Sequence, residues 1–380
     1  MRLTRPLKIS SFIIVLLALL LFLQEIVVKP WAHGDVQIAG FYGEPENSLD
    51  VVMIGASDIY FGFSPCQAYE QYGFTSYVFA PPRNSVSMWK TQLDEVLRTQ
   101  TPGLIVIEVN GALYAEEELD TDENIHFFTD NMPFSKNMLS LIRDHAARKN
   151  RLACFIPYLK YHGNISSLSQ VLKTVRNRMD FLSRGRLYMH GQRTRLNLIE
   201  SELPPLKLSD DHSTLPLEPN HEKSLREFLE YCRDDIKTPV LFFRAPHCVF
   251  SKDSLEYEFF RRANRTSEII SEYGFEYLNY DTEPEELKLE YQKDFNDPEH
   301  LSVFGQQKFT DVFGSLLLEK YGVGGAANQP EIQNIWQEGL ILYHAYMDEC
   351  FKLIEMKDED EYQFMEYESP DAVDLIYPDG

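Results

Sequence analysis

The 380-residue sequence lacks the short motifs by which metal-dependent and nucleotide-dependent enzymes are most easily recognised. It has no Cys-x-x-Cys, no His-Glu-x-x-His, no phosphate-binding loop with its lysine and no dinucleotide-type cluster of glycines. Cysteine is scarce: the five residues are far apart, odd in number and without metal-ligand spacing. We therefore expect no metal site, no nucleotide or other cofactor and no disulfide framework, and we interpret the cysteines as small buried hydrophobic residues.

Basic residues are also in short supply, and the formal net charge is -23. Nucleic acid is thereby excluded as a general partner, because phosphate binding requires a basic surface. The exception is the basic segment 141–196, in which twelve Lys or Arg residues stand against two Asp. This segment predicts either a solvated helix face or a surface that binds an anionic polymer or lipid headgroups.

The one long hydrophobic run lies near the N terminus. Ile9–Leu23 carries no charge, and apolar residues continue to Val28, which gives the roughly 20 residues that a bilayer span requires. Basic residues before the run favour a cytoplasmic N terminus. We expect a transmembrane anchor over 9–28, with residues 1–8 in the cytoplasm and the rest of the chain outside the cell membrane. A cleaved signal peptide is the alternative, although no small-x-small site follows.

Beyond a linker over 29–46, short apolar runs alternate with helical patterns, which is typical of βαβ units around a parallel sheet. Helices are predicted at Trp89–Leu97 and Leu255–Tyr273. We expect a three-layer α/β domain over 47–325 with a central parallel sheet. Its predicted strands are Asp50–Ile54, Thr75–Phe79, Gly103–Glu108, Pro239–Phe243 and Phe275–Leu278.

One long segment interrupts the alternation. Residues 113–235 separate the third and fourth predicted strands and are too many for an ordinary crossover. We expect a mostly helical, basic insertion that caps the strand ends. A further helix is predicted within 326–356, and the acidic tail 357–380 is expected to be solvated.

Two distant segments carry the residues for acyl chemistry. In "MIGASDIYFG", Ser57 directly follows the first predicted strand, at the sheet edge where α/β proteins place their sites. In "DFNDPEHLSVFG", Asp297 precedes His300 by three residues, so its carboxylate can reach the imidazole. A serine hydroxyl needs a base, and that base needs an orienting group. Ser57, His300 and Asp297 are therefore candidate catalytic residues, although a turn serine and a helix cap are alternatives.

Together these segments resemble the SGNH/GDSL hydrolase superfamily, in which a nucleophilic serine follows the first strand and an Asp-x-x-His motif closes the domain. Gly55-Ala56-Ser57 stands where that family has Gly-Asp-Ser. The N-terminal run and the continuation "SPCQAYEQYGFTSYVFA" make the chain similar to the membrane-anchored extracytoplasmic branch, which includes the D-alanine transfer protein of teichoic acid modification and alginate acetylation proteins. The resemblance implies a flavodoxin-like fold and an acyl-Ser57 intermediate.

In that family a glycine amide and an asparagine side chain stabilise the oxyanion, and here "PPRN" stands in the place of the glycine. The resemblance therefore implies Asn84 and Asn110 as oxyanion donors, together with the Ser57 amide; turn-forming asparagines are the alternative. The candidate substrate-binding residues follow the fourth strand or lie in the basic segment: Arg244, His247, His162 and Arg184.

Three functions fit these residues. The first is an extracytoplasmic O-acyltransferase that receives acyl groups from a multi-spanning membrane acyltransferase and transfers them from Ser57 to a hydroxyl of a cell-envelope polysaccharide or teichoic acid. The second is an esterase, which would use the same catalytic residues. The third is a non-catalytic scaffold whose basic segment holds an anionic envelope polymer.

Overall fold

A computed structural model describes residues 5–23, 33–163, 168–201, 203–282 and 287–356. Its centre is a five-stranded sheet in the order β2-β1-β3-β4-β5, with every neighbouring pair parallel. This is one of the common doubly wound orders. The five predicted strands are confirmed with boundaries shifted by at most one residue: β1 Val51–Ile54, β2 Ser76–Phe79, β3 Leu104–Glu108, β4 Val240–Arg244 and β5 Glu276–Asn279.

Helices account for most of the remaining described chain. Short 3₁₀ turns cover 86–88, 110–112 and 326–328. The α-helices are α1 Arg5–Leu23, α2 His33–Phe41, α3 Ser57–Gly62, α4 Pro65–Tyr72, α5 Trp89–Thr99, α6 Glu116–Leu119, α7 Asp122–Thr129, α8 Lys136–His145, α9 Tyr158–Tyr161, α10 Leu168–Arg184, α11 Pro219–Asp234, α12 Leu255–Glu272, α13 Tyr291–Asp294, α14 Val303–Tyr321 and α15 Pro330–Met356.

The sheet is buried on both faces, which explains why its inner strands read as continuous apolar runs. Alternate side chains of β1 point to opposite faces, as strand geometry requires. Val52 and Ile54 join a core that includes side chains of α5, α11 and α12. Val51 and Met53 join a second core with α3 and α14. The result is three layers, with helices packed above and below the sheet.

The segment between β3 and β4 is helical only in part, whereas the sequence predicts a mostly helical insertion: the described residues of 185–218 form no helix. Its described part contains α6 to α11. Serine and threonine caps begin two of these helices: the Thr121 hydroxyl accepts from the Asn124 amide, and that of Ser135 accepts from the Met138 amide. The insertion therefore combines helices with a long irregular stretch.

The N-terminal region departs in part from the predicted anchor and linker. Helix α1 covers Arg5–Leu23, while residues 24–28 of the predicted anchor and the acidic tail 357–380 lie outside the described residues. Across the ranges that the structure describes, we found no helix with both the length and the apolar character needed to cross a membrane. The predicted linker contains α2. The ring of its buried Phe41 packs against that of Phe79 on the sheet, with the ring centroids 4.2 Å apart.

We expect the aromatic contacts of β4 to contribute strongly to stability. Phe243 is fully buried, and its ring centroid lies 4.9 Å from that of Phe313 on α14. Phe243→Ala should lower the free energy of unfolding by about 3–5 kcal/mol, because it leaves a cavity in the core. Phe134→Ala removes an exposed ring and is the matched control. Guanidinium denaturation measures both; equal effects would contradict this account of the core.

Candidate active site

Ser57 lies where β1 gives way to α3, and Gly55 makes this turn possible. A Cβ on Gly55 would lie 2.8 Å from Cβ of Glu108 at the end of β3 and 2.9 Å from Cγ2 of Ile59. Only glycine therefore fits between the two strand ends. Ser57 is the first residue of α3, is half-buried and lines a cavity of about 600 Å³ at the carboxyl edge of the sheet.

His300 and Asp297 lie together on the loop between α13 and α14. Asp297 Oδ1 accepts the backbone N–H groups of Glu299 and His300, both at 2.9 Å, and lies 2.9 Å from His300 Nδ1. Asn296 donates to Oδ2 at 2.7 Å. Although burial opposes it, these hydrogen bonds lower the pKa of Asp297 to about 2, so the carboxylate is ionised at neutral pH.

This contact fixes the tautomer of the neutral imidazole. With Nδ1 donating to a carboxylate, Nε2 of neutral His300 holds the free lone pair and can act as a base. Nε2 is buried and has no hydrogen-bond partner among the described residues. The ring packs edge-on against Phe61 of α3, with centroids 5.3 Å apart.

The structure thus brings the three predicted catalytic residues to one place. Ser57 and His300 line the same cavity, and Asp297 supports the histidine from behind. No hydrogen bond joins the Ser57 hydroxyl to His300 in the described chain. Catalytic hydrogen bonds are commonly long in unliganded sites and tighten in the substrate complex.

The two predicted oxyanion asparagines have other partners. Asn84 Nδ2 donates to Gly55 O at 2.9 Å and to Gln92 Oε1 at 2.8 Å, which uses both of its hydrogens. Asn110 Nδ2 lies 2.8 Å from both carboxylate oxygens of Asp58. Asn84 therefore supports the serine turn and does not fit the predicted donor role. Ser57 is the first residue of α3, so its amide N–H has no acceptor within the helix and is the donor nearest the hydroxyl.

Arg244 and His247 are not substrate-binding residues in this structure, contrary to prediction. Both belong to a closed cycle of buried side chains beneath the serine turn, which we call the buried ring. Asp58 contacts His247 at 2.7 Å, His247 contacts Asp281 at 2.9 Å, and Arg244 donates to Asp281 at 3.0 Å. Arg244 also donates to Asn110 Oδ1, and Asn110 returns to Asp58. Neither basic side chain is among the cavity-lining residues.

The charges of the buried ring balance. Both nitrogens of His247 face carboxylates and therefore both donate, which makes the His247 side chain an imidazolium. Burial and Arg244 oppose this charge, but Asp281 and Asp58 raise the pKa of His247 to about 10. Although burial opposes ionisation, hydrogen bonding and charge from His247 hold the pKa of Asp58 well below its usual range. Two cations thus face two carboxylates.

Glu108 adjoins the ring and differs from its two aspartates. Its Oε2 accepts a hydrogen bond from the backbone N–H of Asn110 at 3.0 Å, while Oε1 is buried without a partner among the described residues. Burial, assisted by the nearby Asp58 carboxylate, raises the pKa of Glu108 to about 8. Glu108 is therefore mostly protonated at pH 7 and adds no net charge.

The remaining predicted residues do not join the cavity. His162 is exposed at the end of α9, where its Nδ1 contacts Tyr158 O, and it does not line the cavity. The side chain of Arg184 lies outside the described residues. From the basic segment it is Arg195 that reaches the cavity, with its guanidinium 4.3 Å from the Phe61 ring centroid.

The cavity wall also includes residues that the sequence did not single out. Arg83 contributes a cation from a left-handed backbone conformation with φ 50°, which non-glycine residues rarely adopt. Tyr114 Oη donates to Glu299 at 3.0 Å, and both side chains line the cavity. Other acidic residues come from the start of the insertion: Glu117, Glu118 and Glu123.

Asp58 and Asp281 are likewise missing from the sequence-based prediction. A signal for both exists, since Asp58 lies four residues after the end of β1 and Asp281 two residues after the end of β5, at the functional edge of the sheet. The described part of the chain has no group of three or more His, Cys, Asp or Glu residues arranged to hold a metal ion. Comparison with family models, curated proteins and solved structures found no match to this chain.

The unusual protonation of Glu108 makes stability depend on pH. Between its ordinary pKa of 4.5 and about 8, the folded protein keeps a proton that the unfolded chain releases, so stability falls as pH rises through this window. Glu108→Gln mimics the neutral acid and removes this loss. Between pH 5 and pH 9, we expect the stability of the variant to improve relative to wild type by roughly 2–4 kcal/mol.

Denaturant titrations at the two pH values measure this difference. Glu338→Gln changes an exposed residue of α15 and is the matched control, with no expected pH effect. Parallel curves for wild type and Glu108→Gln would show that Glu108 is ionised in the folded protein.

Proposed function

We propose that this chain is a serine O-acyltransferase of the SGNH type, anchored to the cell membrane, that acts on a cell-envelope polysaccharide or teichoic acid. One observation carries the proposal: His300 lines the same cavity as Ser57, its Nδ1 is held by Asp297, and its buried Nε2 has no hydrogen-bond partner in the part of the chain that the structure describes. A base so oriented is what a serine nucleophile requires. The strand order 2-1-3-4-5 and the site at its carboxyl edge are consistent with it.

The chemistry proceeds in two acyl transfers. Nε2 of His300 takes the Ser57 proton as Oγ attacks the acyl carbonyl, and the protonated histidine then gives that proton to the leaving group. An acceptor hydroxyl next loses its proton to Nε2 as it attacks acyl-Ser57. Collapse of the intermediate forms the acceptor ester, and the proton on Nε2 returns to Ser57.

Each transfer develops an oxyanion, for which the Ser57 amide is the candidate donor. A backbone N–H aimed at this charge can contribute several kcal/mol to transition-state stabilisation. Asn110 lines the cavity, but its amide is directed to Asp58. We assign it the positioning of α3 rather than a direct contact with the acyl group.

The cavity walls suit a hydroxyl-rich acceptor. Tyr60 and Phe61 offer aromatic surface, while the oxygens of Glu299 and Tyr114 offer acceptors for hydroxyl groups. Because the insertion supplies part of the wall, it also limits the entry of water, which favours transfer over hydrolysis.

The proposed function also involves a membrane anchor, a partner that supplies acyl groups and an anionic polymer. Apolar side chains of α1 from Ile9 to Leu23 are exposed, which supports an anchor that begins in this helix. An anchor would raise the effective concentration of the domain beside a multi-spanning acyltransferase that supplies acyl groups. The basic segment 141–196 would hold an anionic polymer along the outside of the cavity.

The catalytic assignment is tested with Ser57→Ala and His300→Gln. We expect each to lower turnover of an ester substrate by roughly 10⁴-fold or more, because each removes a member of one catalytic unit. A fluorophosphonate probe should label wild-type protein but not Ser57→Ala. Ser315→Ala alters a half-buried serine of α14 that lies outside the cavity, and should label normally. A folded wild-type protein that is not labelled would favour the scaffold.

Product analysis separates transfer from hydrolysis. With p-nitrophenyl acetate as donor, the full chain should form an oligosaccharide ester when a soluble oligosaccharide is present, and the fraction of free acetate should fall. The reason is that the acceptor hydroxyl competes with water for acyl-Ser57. Free acetate as the sole product at every oligosaccharide concentration would identify an esterase.

A further inference from the structure

A second constellation of nucleophile, base and carboxylate lies in the helical insertion. Cys154 Sγ is 3.9 Å from Nε2 of His126, and Nδ1 of the same histidine is 2.8 Å from Asp130 Oδ1. We call these three residues the thiol cluster. The insertion thus holds, outside the Ser57 cavity, the residue types and the order of contacts that activate a cysteine.

Local structure fixes the base. His126 lies on α7 and Asp130 is the C-cap of that helix, so the two are one helical turn apart. Asp130 Oδ2 also accepts the hydroxyl of Tyr161 at 2.5 Å, which holds the carboxylate against the histidine. The His126 and Asp130 side chains are almost completely buried. Asp130 therefore has little freedom to leave Nδ1.

The histidine of the thiol cluster has a raised pKa. Burial opposes ionisation, but the hydrogen bonds to Asp130 and Cys154 raise the pKa of His126 to about 9. The neutral imidazole, which is the form that can accept a proton, therefore predominates only above about pH 9.

The cluster opens on a cavity of about 420 Å³, whose wall includes Cys154 and Asp130. The lining also includes the apolar side chains of Met132, Phe134, Met138, Phe155 and Leu182, together with the polar side chains of Thr129, Asn131 and Arg178. Such a pocket takes an apolar chain and leaves its reactive end beside the sulfur.

None of the other four cysteines lines this cavity. All five are free and buried. Burial raises the pKa of the thiols of Cys232 and Cys350, both to about 12, which makes these two inert. Cys154 differs from them because it combines a histidine partner with an adjoining cavity.

We propose that Cys154 is a second nucleophile of this protein, which accepts an acyl group from a long-chain acyl thioester whose apolar chain occupies the adjoining cavity. Neutral His126 takes the thiol proton on Nε2 as Sγ attacks the thioester carbonyl. A new C–S bond forms, the old one breaks, and the leaving thiolate takes the proton from His126. Thioester exchange needs no oxidant or reductant. This site is independent of Ser57.

The test uses the full chain with palmitoyl-coenzyme A, followed by peptide mapping of hydroxylamine-sensitive adducts. Cys154 should be acylated at least ten times faster than each of the other four cysteines. Cys154→Ser should abolish that adduct, and His126→Gln should slow it at least tenfold. His344→Gln changes an exposed histidine of α15 and should acylate at the wild-type rate.

Ser57→Ala separates this proposal from the proposed function. It should leave acylation of Cys154 unchanged, whatever its effect on ester turnover; loss of the adduct would mean that the acyl group arrives through Ser57 and would overturn the proposal. Acylation of Cys154 no faster than of the other cysteines would also overturn it. That comparison uses wild-type protein alone, so it decides the question even where a substituted chain does not fold. Unchanged acylation in folded His126→Gln would likewise refute histidine activation.

Discussion

The buried ring fastens together the carboxyl ends of four strands. Asp58 follows β1, Asn110 follows β3, Arg244 ends β4, and Asp281 follows β5; His247 closes the cycle between the two aspartates. Charges buried without partners would cost several kcal/mol each, and removal of one partner from such a pair is strongly destabilising. Every charged member here has an opposite charge at hydrogen-bond distance. The edge of the sheet is therefore held in one arrangement.

That arrangement sets the position of the serine. Asp58 is the next residue after Ser57 and has no freedom to leave His247 and Asn110, so the first turn of α3 is held from below. The histidine side is built separately, by the hydrogen bonds within the Asp297 turn and by the Cys248 amide, which donates to Pro298 O at 2.8 Å. Two independently rigid supports thus face one cavity, which is how a site can be preorganised.

The sheet was predictable because β1 to β4 are buried on both faces and appear as apolar runs between turn residues. The strand-end rule also brought Ser57 to the correct edge. The same rule failed for Arg244 and His247, because proximity to a strand end does not distinguish a side chain that enters the cavity from one that turns beneath it. Pairing with Asp58 and Asp281 determines where the side chains of Arg244 and His247 lie, and the positions of these two aspartates depend on the strand order. The prediction of Asn84 as an oxyanion donor failed for a similar reason, because its side chain donates to Gln92 on α5.

The charge balance of the buried ring affects the proposed proton transfer from Ser57 to His300. When a serine is deprotonated, positive charge develops on the base, and any unpaired carboxylate nearby would compete to stabilise it. Asp58 is close enough to interact with His300, but its charge is already matched by His247. Glu108 is mostly protonated at neutral pH and offers no competing charge. The developing imidazolium is therefore stabilised chiefly by Asp297, the one carboxylate in hydrogen-bond contact with it, which keeps the proton on the catalytic path.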